Sequence, residues 1–165
     1  MVLVLRDPNG SLVVATVLFL AAAFTDFLDG YIARRRNETT IMGAFLDSTA
    51  DKLLVTGSLL ALVSIDRVSV WAALIIIVRE FVVMALRGLT ALEGELVRPS
   101  VWGKLKAAVQ FTAIAMAMLR VGEPIGTLYL DEWVMWLAVA ITLYSGWAYV
   151  ASFWAVARRV DRVDR

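Results

Sequence analysis

Four aspartates at helical spacing are the residues of this sequence best suited to chemistry. Asp26 and Asp29 lie three residues apart, and Asp47 and Asp51 lie four apart, inside two consecutive apolar stretches. On α-helices the members of each pair share one face. A carboxylate inside a bilayer is costly and needs a cationic partner, and a divalent ion with oxygen ligands is the obvious one. Two such ions that share bridging carboxylates can hold a pyrophosphate between them.

The alternative role for the same carboxylates is a proton or cation relay in a transporter. A relay predicts charges spread across the depth of the bilayer, whereas we expect both aspartate pairs to lie toward one side of it. The spacing therefore favours an enzyme that handles phosphates, and the transporter remains the alternative outside enzymes.

Small residues and one arginine accompany the aspartates. Gly30 and Ala33 each lie one turn after an aspartate of the first pair, and Gly43 lies one turn before the second pair. In membrane helices small residues usually serve helix packing. Beside four carboxylates they favour room for a large ligand against the backbone. Arg34 would supply charge to a phosphate oxygen, with a positive anchor at the membrane surface as the alternative.

The elements that must position these residues are membrane helices. The chain has 165 residues, of which 61% are hydrophobic, and its mean hydropathy is +0.77. This predicts an all-α, polytopic transmembrane helix bundle that forms a single membrane domain over residues 1–165. The predicted spans are residues 11–36, 40–65, 68–92, 101–121 and 128–158.

Composition also excludes several chemistries and partners. The sequence has no cysteine and no histidine, which removes thiolate nucleophiles, imidazole bases and the usual zinc ligands. A net charge of +1 gives no bulk electrostatic reason to bind nucleic acid. Any catalysis must therefore use carboxylates, Lys, Arg, hydroxyl groups and a hard metal ion.

The basic residues predict the orientation in the membrane. One side collects Arg34, Arg35, Arg36, Arg98, Lys104, Lys106, Arg158, Arg159, Arg162 and Arg165. That side is predicted to be cytoplasmic, because loops rich in Lys and Arg stay inside. Residues 1–5 are apolar and precede a loop-like segment, so we expect them to end an earlier helix whose beginning is missing; a short tail is the alternative.

The aspartates and their neighbours form a recognisable pattern. Asp26-x2-Asp29-Gly30-x2-Ala33-Arg34-x8-Gly43-x3-Asp47-x3-Asp51 resembles the signature of the CDP-alcohol phosphatidyltransferases. The resemblance implies that Asp26, Asp29 and Asp47 are ligands of a two-metal site for Mg2+ or Mn2+. It implies that Asp51 is a further metal ligand and the general base, and that Gly30, Arg34 and Thr40 contact the CDP-linked donor. Ala33 and Gly43 complete the predicted donor site.

The resemblance also implies a reaction and an assembly. An acceptor hydroxyl would attack the lipid-side phosphorus of a CDP-lipid, and CMP would leave. Members usually have six spans and form dimers, and an Asn-x2-Thr-x2-Arg segment that leads their first span is absent here. The residues 11–65 would form the catalytic helix pair of a multi-pass enzyme in the cell membrane, among membrane lipids, with its active site toward the cytoplasm.

A second group of charges predicts the acceptor site. Arg79, Arg87, Lys104 and Lys106 could bind an anionic acceptor within residues 68–110, while a structural pair of Arg79 with Glu80 and headgroup contacts of the lysines are the alternatives. The segments 78–80, 85–87 and 103–106 with Gln110 resemble the family members that join CDP-diacylglycerol and glycerol 3-phosphate into phosphatidylglycerophosphate. The alternative for this chain is the same chemistry with another acceptor, either inositol phosphate or phosphatidylglycerol giving cardiolipin, because related enzymes share the aspartate signature.

Overall fold

Five α-helices make up the part of the chain that the structure describes. The computed structural model describes residues 11–36, 41–92, 101–120 and 124–163, and no strand forms within them. The helices are α1 (Ser11–Arg36), α2 (Ile41–Val63), α3 (Val70–Leu92), α4 (Val101–Leu119) and α5 (Leu130–Val163). The predicted all-α bundle is confirmed. The predicted bounds agree for α1 and differ by at most five residues elsewhere, because α2 ends early at a turn and α5 continues through its basic end.

The apolar helices and the apolar outer surface of the bundle suit a membrane. Leu130–Ala151 is long and apolar enough to cross one, and Ser11–Thr25 and Leu105–Leu119 are shorter apolar helices within the described residues. The 19 residues of α4 rise about 28 Å, of which the apolar part Leu105–Leu119 contributes about 22 Å. Many large apolar side chains point outward, among them Val17, Phe24, Leu60, Trp71, Leu137 and Trp147. The chain is therefore a membrane helix bundle, and the crossing of all five helices stays a prediction.

The helix directions follow from the contacts between helices. Leu12 near the start of α1 packs against Ala61 near the end of α2, so these two helices are antiparallel. α5 packs against α3 and α4, α4 also packs against α1 and α2, and α2 packs against α1 and α3. Arg79 and Arg87 of α3 contact Ser145 and Tyr149 of α5 in the same order along both helices. α3 and α5 are therefore parallel.

The main apolar core lies in one half of the bundle. It is centred on Leu59 and Leu62 of α2, Ile76 of α3 and Ile114 of α4, all almost fully buried. Alanines on α4 and α5 face each other in this half, which lets the two backbones approach closely. Because this half is filled with apolar side chains, the buried charges of α3 and α4 are left in the other half.

The turn between α2 and α3 is tied to the end of α4. α2 ends in a Schellman arrangement: the amide of Asp66 donates to the carbonyl of Val63, and the amide of Arg67 donates to that of Leu62. Asp66 occupies the left-handed position with φ of 54°. The Arg67 guanidinium donates to the carbonyls of Ala117 and Met118 at 3.3 and 2.9 Å. Burial and the neighbouring Arg120 lower the pKa of Arg67 below its ordinary value.

The start of α5 is capped at the same end of the bundle. Glu132 accepts a hydrogen bond from the amide of Tyr129 at 2.8 Å, as in a capping box. The Arg120 guanidinium lies 3.2 Å from Glu132 and 3.5 Å from Asp131. These contacts join the ends of α2, α4 and α5, so the half of the bundle that holds the core is also closed by polar contacts.

Candidate active site

The backbone places both aspartate pairs on neighbouring helices. Asp26 and Asp29 lie in the second half of α1, and Asp47 and Asp51 lie in the first half of α2, which packs against α1. Since the two helices are antiparallel, both pairs fall toward the half of the bundle that the apolar core leaves free.

Most of the predicted donor and metal residues are described only by their helical backbone. This holds for Asp26, Asp29, Gly30, Ala33, Arg34, Gly43, Asp47 and Lys104, while Thr40 lies outside the described residues. The metal site and the donor site therefore stay predictions. Their residue types, oxygen donors at helical spacing on two packed helices, fit a hard divalent ion.

Asp51 has a described side chain, and it lies beside a lysine. Its carboxylate is about one third exposed, and its Oδ2 is 4.0 Å from the Nζ of Lys52. Lys52 is more buried than Asp51, at 14% exposure of its side chain, and lies within electrostatic range of Glu80 and Lys106. Lys52 was not predicted as a site residue, although its position directly after an aspartate of the signature is visible in the sequence.

A buried carboxylate joins two of the predicted acceptor residues. Glu80 of α3 is 7% exposed and forms an ion pair with Lys106 of α4, which is 6% exposed. The Arg79 guanidinium lies 3.4 Å from the same carboxylate oxygen. The structure thus brings Arg79 and Lys106 together through Glu80, and the sequence alone showed only that Arg79 and Glu80 are adjacent.

Helix α5 forms the other wall of this cluster. The second terminal nitrogen of Arg79 donates to the hydroxyl of Ser145 at 2.9 Å, and that hydroxyl donates to the carbonyl of Thr142 at 3.1 Å. Gly146 makes room for the arginine, because a Cβ there would lie 3.0 Å from the Cγ of Arg79. The sequence did not predict Ser145 and Gly146, and no spacing signal marks them, because their role depends on how α3 and α5 pack.

Arg87 is also held by α5. Its guanidinium carbon lies 5.4 Å from the ring centre of Tyr149, within the range of a cation–π contact. Arg87 is in electrostatic range of Arg79. Tyr149 is therefore a neighbour of a predicted acceptor residue, which the sequence did not indicate.

The described charges of this half favour an anion. Four cations, Lys52, Arg79, Arg87 and Lys106, accompany two carboxylates, Asp51 and Glu80, among the described side chains there. This leaves a net charge of +2. This sum leaves out Asp26, Asp29 and Asp47, whose charge the predicted metal ions would offset, so the excess of cations among these six side chains favours an anionic ligand close to them. We define these four cations with Glu80 as the basic cluster.

A groove on the outside of the bundle has Arg79 of the basic cluster in its wall. It has a volume of about 550 Å3 and runs between α3 and α5. Its lining is apolar except for Arg79, and consists of Leu74, Ile75, Val78, Arg79, Val82, Val83, Leu143, Gly146, Trp147 and Val150. Several of these side chains are exposed, so the groove opens toward the surface that faces lipid.

The chain is similar to known proteins over most of its length. A family model described as CDP-alcohol phosphatidyltransferase matches residues 1–144. A CDP-diacylglycerol–glycerol-3-phosphate 3-phosphatidyltransferase of Bacillus subtilis (strain 168) is 40% identical over 144 residues, which cover 84% of this chain and 72% of the relative. One of the same name from Pseudomonas fluorescens is 38% identical over 155 residues, 88% of this chain and 77% of the relative. A probable phosphatidylglycerophosphate synthase of Mycobacterium tuberculosis is 36% identical over 140 residues, 84% of this chain and 65% of the relative.

Proposed function

The chain belongs to the CDP-alcohol phosphatidyltransferase family, and from that membership we propose that it transfers a phosphatidyl group from CDP-diacylglycerol to sn-glycerol 3-phosphate. The products are phosphatidylglycerophosphate and CMP. The relatives named for this reaction support the choice of substrates. The observation that carries the proposal is the basic cluster, with its net positive charge, in the same half of the bundle as the aspartate signature.

The acceptor is a small anion, and the basic cluster matches its charge. Arg79, Arg87 and Lys106 would bind its phosphate, with Lys104 as a further cation near the start of α4. Arginine suits this task because its planar group can donate two hydrogen bonds to one phosphate. Glu80 keeps Arg79 and Lys106 near each other before the acceptor arrives.

The aspartates would hold the metal ions beside the CDP-lipid, and one of them would accept a proton. Asp26, Asp29, Asp47 and Asp51 would hold two Mg2+ or Mn2+ ions, which when bound supply positive charge to the pyrophosphate. The donor contacts would come from Gly30, Ala33, Arg34, Thr40 and Gly43. Asp51 would accept the proton of the acceptor hydroxyl as its oxygen bonds to the lipid-side phosphorus. The bond from that phosphorus to the oxygen of CMP then breaks, and CMP leaves.

The apolar groove supports lateral access for a lipid substrate. It opens toward lipid and has Arg79 in its wall, so an acyl chain lying in it would bring a lipid near the basic cluster. The basic residues at one side of the bundle support a location in the cell membrane with the active site toward the cytoplasm. A homodimer is part of the same proposal, on the basis of the family resemblance.

The direct test is CMP release by purified protein in detergent. CDP-diacylglycerol is supplied with Mg2+ and with glycerol 3-phosphate, inositol phosphate, phosphatidylglycerol or no acceptor. We expect release with glycerol 3-phosphate and none after removal of the metal with a chelator. Release with another acceptor only would replace the proposed substrate. Ion flux in liposomes, with no CMP release under any condition, would favour the transporter alternative.

Asp51→Asn tests the proposed base. The loss of a general base typically lowers turnover by about 100-fold or more, so we expect at least that fall in kcat. Asp66→Asn is the matched control, because it makes the same change at the opposite end of the bundle, where Asn tolerates the left-handed backbone. Near-normal turnover of Asp51→Asn would remove Asp51 from the role of base.

A further inference from the structure

The hydroxyl of Tyr149 is buried without a hydrogen-bond partner among the described residues. Buried polar groups nearly always have a partner, and those that do not call for an explanation. A phenol can donate one hydrogen bond and accept others. Phe would fill the same space without an unpaired group, so packing alone does not account for a tyrosine at this position.

The surroundings of Tyr149 indicate what kind of partner is missing. The guanidinium carbon of Arg87 lies 5.4 Å from the centre of its ring. Tyr149 lies one turn after Ser145, which holds Arg79, so both residues face α3 from the same side of α5. The unpaired hydroxyl therefore lies along the wall of the basic cluster, where cations exceed carboxylates and an anion is the favoured ligand.

We propose that the Tyr149 hydroxyl donates a hydrogen bond to the phosphate of the acceptor, while its ring positions Arg87 for the same phosphate. This inference rests on the proposed function and deepens it by assigning acceptor selection to α5. The phosphate would accept the hydrogen bond that this hydroxyl donates to none of the described residues. Tyr149 is thus a specificity-determining residue that acts on the acceptor and not on the CDP-lipid.

Tyr149→Phe tests the hydroxyl alone, because it keeps the ring beside Arg87. The matched control is Tyr144→Phe, the same change on the same helix at a side chain that is 56% exposed. KM for glycerol 3-phosphate, KM for CDP-diacylglycerol, kcat and thermal stability are measured for both variants. We expect Tyr149→Phe to raise the KM for glycerol 3-phosphate about tenfold or more, as for a lost hydrogen bond to a charged group. The KM for CDP-diacylglycerol should change less than about twofold, because the inference assigns the hydroxyl to the acceptor.

Thermal stability separates a binding role from a structural one. Removing an unpaired buried group should leave the stability of Tyr149→Phe unchanged or raise it. Tyr149→Leu also removes the ring and should raise the KM for glycerol 3-phosphate further than Tyr149→Phe does. An unchanged KM in Tyr149→Phe, or a loss of stability with equal KM changes for both substrates, would overturn the inference.

A binding measurement distinguishes failure of this inference from failure of the proposed function. If wild-type protein released no CMP with glycerol 3-phosphate, binding of glycerol 3-phosphate to the wild type and to Tyr149→Phe would be compared by calorimetry. Weaker binding by Tyr149→Phe would support the hydroxyl contact without the reaction. Equal binding by both would overturn the contact, and no binding by the wild type would overturn both proposals.

Discussion

Glu80→Gln removes one negative charge from the basic cluster with almost no change of shape. Glu80 is the carboxylate that the described structure places against both Arg79 and Lys106. After the substitution Lys106 keeps its charge in a buried position, and Arg79 keeps Ser145 as a partner. The ammonium of Lys106 therefore loses its main counter-charge.

The size of the expected loss of stability follows from the burial of both Glu80 and Lys106. Removing one partner of a buried ion pair costs about 3–5 kcal/mol, and both side chains here are more than nine-tenths buried. Lys106→Met should lower the free energy of unfolding by less, about 1.5–3 kcal/mol, because Glu80 keeps Arg79 as a partner at 3.4 Å. The double variant Glu80→Gln/Lys106→Met has no buried ammonium without a counter-charge. Its loss of unfolding free energy should therefore be smaller than the sum of the losses in the two single variants.

The free energy of unfolding can be measured by SDS titration in mixed micelles, followed by the fluorescence of the six tryptophans. Glu132→Gln is the matched control. Its carboxylate pairs with Arg120 at 3.2 Å but is 28% exposed, and Gln can retain the capping hydrogen bond, so its cost should be below about 1 kcal/mol. A loss of stability in Glu80→Gln no larger than in Glu132→Gln, or a larger loss in Lys106→Met than in Glu80→Gln, would show that Glu80 is not the counter-charge that Lys106 needs.

Two further predictions concern acceptor binding by α3. Arg87→Ala should raise the KM for glycerol 3-phosphate by about 10- to 100-fold and change the KM for CDP-diacylglycerol much less. Arg87→Lys should have an intermediate effect on the KM for glycerol 3-phosphate. Equal effects of Arg87→Ala on both KM values would count against an acceptor site. Gly146→Ala places a Cβ 3.0 Å from the Cγ of Arg79 and should raise the same KM severalfold, because the arginine must shift. Gly57→Ala is the control, because its Cβ would meet nothing within 4 Å, and it should leave the KM for glycerol 3-phosphate unchanged. A normal KM in Gly146→Ala would show that acceptor binding does not depend on the position of the Arg79 side chain.

The sequence by itself determined the class of the fold and the family. Apolar runs of membrane length predict helices because the backbone in a bilayer must satisfy its hydrogen bonds within each segment. The five predicted helices are confirmed, and errors are confined to their ends. At the end of α2 the Schellman turn with Asp66 stops the helix at Val63, a geometry that apolar periodicity does not report. The signature from Asp26 to Asp51 was recognisable because its residues lie within two consecutive helices.

Only the tertiary structure decided which side chains meet across the bundle. Glu80 and Lys106 are 26 residues apart, Arg79 and Ser145 are 66 apart, and each contact depends on the rotation of one helix against another. In a membrane protein the outward faces are as apolar as the core, so the sequence pattern indicates rotation only weakly. The sequence therefore predicted the cations of α3 and α4 but not Tyr149 and Gly146, whose contacts arise where α5 packs parallel to α3.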